Sequence, residues 1–310
     1  MMAREWSEIA VPRAARLLAD ATRLPLEQSW PYTQALVART GAAMRYVALG
    51  ERAVAAIAVR RWWGLWPVRE CLRGPVWLDP PSDDSTRAAA TLDALRTAFG
   101  RPIFGLSFWT PDAVDAGRAA DVARMGGMRR VFTGHATSRV PVLADEGLQR
   151  ARLDGKWRNA LVTGETRARL RIRTTREPRA VVEILDRYDA LRRGRRFVGP
   201  SGALLAAAAT LSGRDGYFAV VAERDACAEA GALILCHGTE ATWVAGFAAA
   251  AARAEAGHRR ILLAALAELR RMGIGALDLG GIDTSAAPGI ARFKLGLGGT
   301  VIVLPGTWGR

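Results

Sequence analysis

Two periods of apolar residues alternate in blocks along the 310-residue chain. Over 28–39, 84–99, 112–125, 153–169, 178–193 and 258–272 the apolar positions recur every three to four residues, which predicts helices with one buried face. Between these blocks, alternating or continuous apolar runs predict strands at 44–49, 53–61, 103–108, 130–138, 171–174, 217–223, 230–236, 241–247 and 300–304. Punctuation supports the division. Ser29 precedes Trp30-Pro31 as a helix N-cap and Gly41 ends that helix, while Gly50-Glu51-Arg52 is short enough to be a hairpin turn. Asp83-Asp84 places negative charge in a first helical turn, where the helix dipole favours it. Asp225 and His237-Gly238-Thr239 mark the turns of an antiparallel meander. A proline, a glycine and acidic residues between Val140 and Gly147 separate two periodic blocks. The expected fold is therefore α/β (α+β), with two domains at 1–145 and 146–310, each a mixed sheet flanked by helices.

Composition adds limits to this picture. Half the residues are apolar and 24% are charged, as in a globular protein. Cys71, Cys227 and Cys236 have neither metal nor disulfide-framework spacing, so a reducing cytoplasm is the expected compartment. The N-terminus lacks the apolar core of a secretory signal, and the longest apolar runs, 203–211 and 244–252, fall far short of the roughly 20 residues of a membrane-spanning helix. The net charge is +14, and it is concentrated. Residues 150–196 carry 15 basic and 6 acidic side chains, whereas 197–310 are near balance. A focused basic segment suits a polyanionic partner such as nucleic acid, a nucleotide-linked substrate or an anionic membrane; a solvated arginine-rich helical face is the plainer alternative. Arg192, Arg193, Arg195 and Arg196 around Gly194 form its densest cluster.

Residues 276–299 draw most attention as candidate chemistry. They predict a short buried strand, a turn at Gly280-Gly281, a helix started by Pro288 and a glycine-rich exit at Gly296 and Gly298-Gly299. Of the 44 basic residues only Lys156 and Lys294 are lysines, and a lysine retained in so arginine-rich a chain marks either a place where a compact ammonium suits better than a planar fork or a chance survivor of the arginine bias. Asp278 and Asp283 flank the glycine pair; they could bind an amino group or act as a base, and Asp283 could equally close a turn on its own backbone. Trp30 and Tyr32 could line a pocket or simply pack at a helix entry, and the cluster Trp62, Trp63, Leu65 and Trp66 could meet lipid or an apolar substrate or pack under a loop. His135, His237 and His258 are scattered and expected to be structural, no nucleophile–base set has supporting spacing, and no metal site is expected.

The order helix, three antiparallel strands, central helix, parallel strand, helix, final strand in the second half resembles a GNAT acyltransferase domain. Two such halves, the Gly-Gly-Ile-Asp segment at 280–283, the Phe293-Lys294-Leu-Gly-Leu-Gly-Gly segment and Lys156-Trp157-Arg158-Asn159 together resemble the FemABX family, aminoacyl-tRNA-dependent peptidyltransferases. The resemblance covers nearly the whole chain but lacks the helical-hairpin arm of some members. It implies an aminoacyl ester on tRNA as co-substrate, an amine on a peptidoglycan-precursor-like or small peptide acceptor, tRNA as a partner, and no separate cofactor. It also implies that Phe293 and Lys294 lie near the tRNA end and the reacting carbonyl, where an ammonium stabilises the oxyanion of aminolysis. On this reading Arg292, Arg192, Arg193, Arg195, Arg196, Gly280, Gly281, Arg259 and Arg260 face the donor, and Trp30, Tyr32, Arg73, Lys156, Arg158 and Asn159 face the acceptor. An acyl-CoA or acyl-carrier donor is the first alternative. Against it, the connection into the central helix, 249–260, has one glycine, Gly257, where a pyrophosphate cradle would be glycine-rich. A non-catalytic protein that binds RNA or a membrane surface is the second alternative.

Overall fold

The computed structural model describes residues 5–100, 105–167, 169–195, 197 and 199–310. The chain forms two compact units, residues 1–136 with 302–310, and residues 137–301.

Unit 1 opens with β1 (Ser7–Glu8), α1 (Val11–Ala19), a 3₁₀ turn at Leu26–Gln28 and α2 (Trp30–Thr40). Ser29 occupies the N-cap position of α2 as expected, but its hydroxyl donates to the Leu26 carbonyl and does not cap the helix. Strands β2 (Ala43–Leu49), β3 (Ala53–Trp62), β4 (Trp66–Leu72) and β5 (Val76–Trp77) lead to α3 (Asp84–Phe99), whose cap Asp83 accepts from the Thr86 N–H at 2.7 Å. Then follow β6 (Leu106–Thr110), a 3₁₀ segment Ala113–Arg118, α4 (Ala119–Met125) and β7 (Arg129–Phe132). The strand expected at 103–108 is thus shifted, and its first two positions lie outside the described residues. β2, β3 and β4 pair antiparallel, β4 pairs β6 in parallel, and α3 and α4 pack with Val47, Ile57 and Trp109 in the core.

Unit 2 contains β8 (His135–Pro141), α5 (Glu146–Ala151), α6 (Gly155–Arg167), β9 (Arg171–Thr175), α7 (Pro178–Arg195) and α8 (Gly202–Leu211), with β8 beginning just before the division between units. Its sheet continues through β10 (Tyr217–Arg224), β11 (Cys227–His237) and β12 (Glu240–Ala248); then come α9 (Ala250–Ala254), α10 (Gly257–Arg271), β13 (Ala276–Ile282), α11 (Pro288–Leu295) and β14 (Thr300–Leu304), which crosses the division between units after Val301. The strand order is β14-β8-β13-β12-β11-β10-β9. Alternate residues of the meander feed two cores. Phe218, Val220 and Ala222 pack with α6 and α10 on one face, and Ala219 and Val221 pack with α7 and α8 on the other.

Three sequence expectations change. The run 130–138, expected as one strand, is broken into β7 and β8, which belong to different sheets. Only Gly134 marks the break in the sequence, and an isolated glycine in a strand-like run fits a bulge equally well. The 145/146 boundary falls inside unit 2 as contacts divide the chain. Finally, β14 is not the last strand: β15 (Thr307–Gly309) returns to unit 1 and pairs antiparallel with both β6 and β7. Three residues are too few to carry a periodic signal.

Candidate functional site

The site begins where two parallel strands part. β12 and β13 pair through Glu240–Ala276, Ala241–Leu277 and Thr242–Asp278, and their ladder ends there while both strands run on. Just past that point β12 carries a bulge: Leu233 of β11 faces Ala245, Ile234 faces Trp243, and Val244 is the extra residue. Such a bulge re-aims neighbouring side chains. Trp243 donates from its indole to the Ala245 carbonyl at 2.7 Å, which fixes the ring on the α10 side of the sheet.

β13 supplies the opposite wall. Ala276, Leu277 and Leu279 are buried, and the nearly buried Asp278 carboxylate accepts from the Gly280 N–H at 2.7 Å. Gly280 has φ of 73°, which a residue with a side chain adopts only under strain. That turn aims the Gly281 carbonyl at Lys294 on the last turn of α11, whose Nζ donates to it at 2.7 Å and sits 5.7 Å from the centre of the Trp243 ring. Burial pushes the Lys294 ammonium down to about 8, opposed by the attraction of Asp278. One N–H of the ammonium is therefore occupied by backbone, and the charge is held in a poorly solvated place.

Phe293 organises the adjoining wall. Its ring stacks on Trp157 of α6 at 6.1 Å between centroids, meets Trp243 edge-on at 6.3 Å and lies 4.6 Å from the His258 ring. The Phe293 carbonyl accepts from the Trp157 indole at 3.1 Å. Trp157 covers Gly296 so closely that a Cβ there would stand 2.6 Å from its Cδ1. Arg259, at the start of α10, sets its guanidinium carbon 5.5 Å from the Trp157 ring centre and 5.9 Å from that of Phe293. Burial lowers the pKa of Arg259, and burial with Arg259 and Arg253 nearby lowers that of His258 to about 4, so the imidazole is neutral at physiological pH. Arg259 Nε, Arg260 Nη1 and His258 Nδ1 are buried without a hydrogen-bond partner among the described residues. The result is an aromatic corner edged by two cations, suited to stacking a planar group, neutralising an anion and donating to a developing oxyanion.

Of the residues singled out from sequence, Lys294, Phe293, Asp278, Gly280, Gly281 and Arg259 come together here, while Arg260 is the partly buried residue after Arg259 on α10. Lys156, Arg158 and Asn159 are exposed on α6, beside Trp157 in the chain. Arg292 is exposed on α11. Asp283 stands apart: its Oδ1 accepts from the Ser285 N–H, the Ser285 hydroxyl and the Ala286 N–H, bonds that lower its pKa and give it the turn-closing role that was one of its two readings. Arg192, Arg193 and Arg195 end α7, in the layer on the other face of the sheet, and Arg192 bonds Asp189 at 3.0 Å; Arg196 lies outside the described residues. Trp30, Tyr32 and Arg73 are in unit 1. Trp30 packs 6.3 Å from Tyr46, and Arg73 is bound to the buried Asp112 at 2.9 Å and to Glu27 at 3.5 Å, an arrangement that holds the loop it leaves. Sequence reasoning missed Trp243, which alternation places on a strand but which only the bulge turns toward Lys294. It also missed the contact of His258 with Phe293. Among the described residues no group of His, Cys, Asp and Glu could hold a metal ion.

Comparison with solved structures identifies the class of fold. The chain superposes on FemX with a TM-score of 0.80 over 98% of its own length and 96% of that chain, at 12% identity. A tandem GNAT protein from the clavulanic acid biosynthesis pathway matches with a TM-score of 0.55 over 99% and 98% of the two chains, at 15% identity. The C-terminal domain of a putative lysylphosphatidylglycerol synthetase from Agrobacterium fabrum gives 0.57 over 96% and 90%, also at 15% identity. No protein-family model and no curated protein matches the sequence. The protein thus has the tandem GNAT fold in its FemX-like form.

Proposed function

We propose that the protein is an acyltransferase of the FemX kind, moving an aminoacyl group from tRNA to an amine on a peptidoglycan-precursor-like or small peptide acceptor. The observation that carries this reading is Lys294: a half-buried ammonium anchored to the Gly281 carbonyl in the cleft between β12 and β13, beside an aromatic wall and an arginine without a carboxylate partner among the described residues. Attack of a neutral amine on the ester carbonyl puts negative charge on the carbonyl oxygen. An N–H of Lys294 not spent on Gly281 meets that charge, and collapse of the intermediate forms the amide and expels the ribose oxygen, which takes up the proton that the attacking amine gives up. The partly exposed Trp243 and Phe293 rings, backed by the buried Trp157, offer an apolar wall to the terminal base, and Arg259 and Arg260 offer charge to its phosphate. The binding role of Lys156, Arg158 and the arginines of α7 belongs to the same reading.

The test is transfer of a labelled amino acid from charged tRNA to an amine acceptor by the purified chain, with and without Lys294→Ala. Product formation that needs Lys294 supports the proposal, and no product from any charged tRNA pool refutes it. An acyl-CoA donor is favoured by one observation, the pair Arg259 and Arg260 at the start of α10 next to Ala256, whose φ of 52° bends the chain sharply there. Saturable acyl-CoA turnover without an effect of tRNA would establish that reading instead.

A further inference from the structure

The β3–β4 hairpin of unit 1 ends in an apolar tip that the cores of the chain do not absorb. Trp62, Trp63, Leu65 and Trp66 are 57%, 83%, 76% and 48% exposed, whereas Trp6, Trp77, Trp109 and Trp157 are buried. The tip is built, not frayed. Trp62 faces Trp66 in register, the Leu65 N–H donates to the Trp62 carbonyl at 3.2 Å, and Trp63 and Gly64 both have positive φ. The Trp62 and Trp63 rings stand 5.5 Å apart, on a ridge one hairpin wide. Of the two sequence readings of this cluster, the exposures of Trp62, Trp63 and Leu65 favour an outward-facing tip over packing under a loop.

Charge next to the tip is one-sided. Arg61 is exposed and enters no ion pair among the described residues, while Arg60 is matched by Glu70. Arg69 lies opposite Ser107, which exchanges backbone hydrogen bonds with Arg310, and burial, with smaller repulsions from Arg69 and Arg96, lowers the pKa of Arg310. Large apolar area on a convex ridge with arginines at its base fits a surface that is fluid, apolar below and anionic above. Indole rings favour the polar boundary of a bilayer, leucine the acyl chains and guanidinium the phosphates. A stacked nucleic-acid base would use the indoles but gain little from Leu65, and a folded partner would need a matching groove.

We propose that this hairpin tip is a membrane-interface anchor that inserts into the headgroup region of an anionic bilayer, with Trp63 and Leu65 leading and Arg61 at the phosphate level. The inference is independent of the transferase reading, since it uses unit 1 alone. The full chain is sedimented with vesicles of phosphatidylcholine and with vesicles of equal parts phosphatidylcholine and phosphatidylglycerol, and tryptophan quenching by brominated acyl chains is followed. Binding to the anionic vesicles with quenching is expected, and Trp63→Ser with Leu65→Ser lowers partitioning about tenfold or more. Arg61→Glu, which leaves the ridge intact, weakens binding to the anionic vesicles alone. A wild-type chain that ignores anionic vesicles overturns the proposal, as does a double variant that binds and quenches like wild type with an unchanged melting curve. Self-association or tRNA binding that the double variant loses, without vesicle binding by the wild type, would assign the tip to a second copy or to RNA and overturn it equally.

Discussion

Lys294 carries the sharpest predictions at the scale of single residues. Replacing it with alanine removes one oxyanion donor, and turnover is expected to fall about 100- to 1,000-fold while the melting curve stays close to wild type. Lys294→Arg restores the charge but not the compact donor, so it recovers only part of the rate. The lowered pKa also fixes a pH dependence. The folded value is about 8 against an ordinary 10.5, so between these values the unfolded chain binds more protons, and stability rises with pH across that window. Its contribution is fully present above 10.5 and is lost as pH falls through about 8. Denaturant midpoints measured from pH 8 to 10.5 should climb more steeply in wild type than in Lys294→Met. Activity runs the other way, declining above about 8 as the donor loses its proton. The cysteines offer an independent check on burial. Cys71 is enclosed and Cys236 partly so, burial pushing both thiols up to about 12, while Cys227 is exposed. Maleimide should label Cys227 alone in the native protein and all three thiols after unfolding.

Among elements, the wall formed by α6 and the end of α11 depends on the absence of a side chain at Gly296. Alanine there would set Cβ 2.6 Å from Trp157 and force the indole aside. A loss of about 1–3 kcal/mol in urea unfolding is expected. Because Trp157 also stacks on Phe293 and holds its carbonyl, the same variant should raise KM for the donor more than a surface substitution of equal stability cost. The two basic helices can be separated in the same way. α6 shares its layer with Phe293, and α7 covers the opposite face of the sheet. Reversing Lys156 and Arg158 to glutamate should therefore weaken tRNA binding and flatten its salt dependence more than reversing Arg193 and Arg195, as read from affinities at two salt concentrations. Equal effects would remove the distinction between the layers.

The whole molecule is two compact units of similar plan, each with an antiparallel run leading into a parallel pair, β4 with β6 and β12 with β13. The last nine residues belong to unit 1, and β15 bridges β6 and β7. Deleting residues 307–310 leaves β6 paired with β4 alone and takes from β7 its neighbour in the sheet order, and the Arg310 side chain no longer reaches the Gly126 and Gly100 carbonyls at 3.0 and 3.3 Å. Differential scanning calorimetry should show the transition of unit 1 lowered, with that of unit 2 less affected.

Much of this protein was legible locally. Helical and strand periods are set by each segment's own buried face, so the helices at 84–99 and 258–272 and the meander at 217–247 could be read to within a few residues. Gly280, with its turn, and Lys294, by its rarity, were visible for the same reason: each is a property of one position. Contacts between distant segments were not. Whether β7 continues into β8, where β15 goes, that Trp243 turns toward Lys294 at a bulge, and that Trp157, Phe293, His258 and Arg259 share one corner all depend on pairings made across tens to hundreds of residues. Local periodicity holds no record of those partners. The sequence by itself determined the long periodic elements and the candidate lysine, though not α1, β4, α8 or β15, and the tertiary structure decided what surrounds that lysine, because the charge, burial and stacking that give it a chemistry come from residues brought to it only by folding.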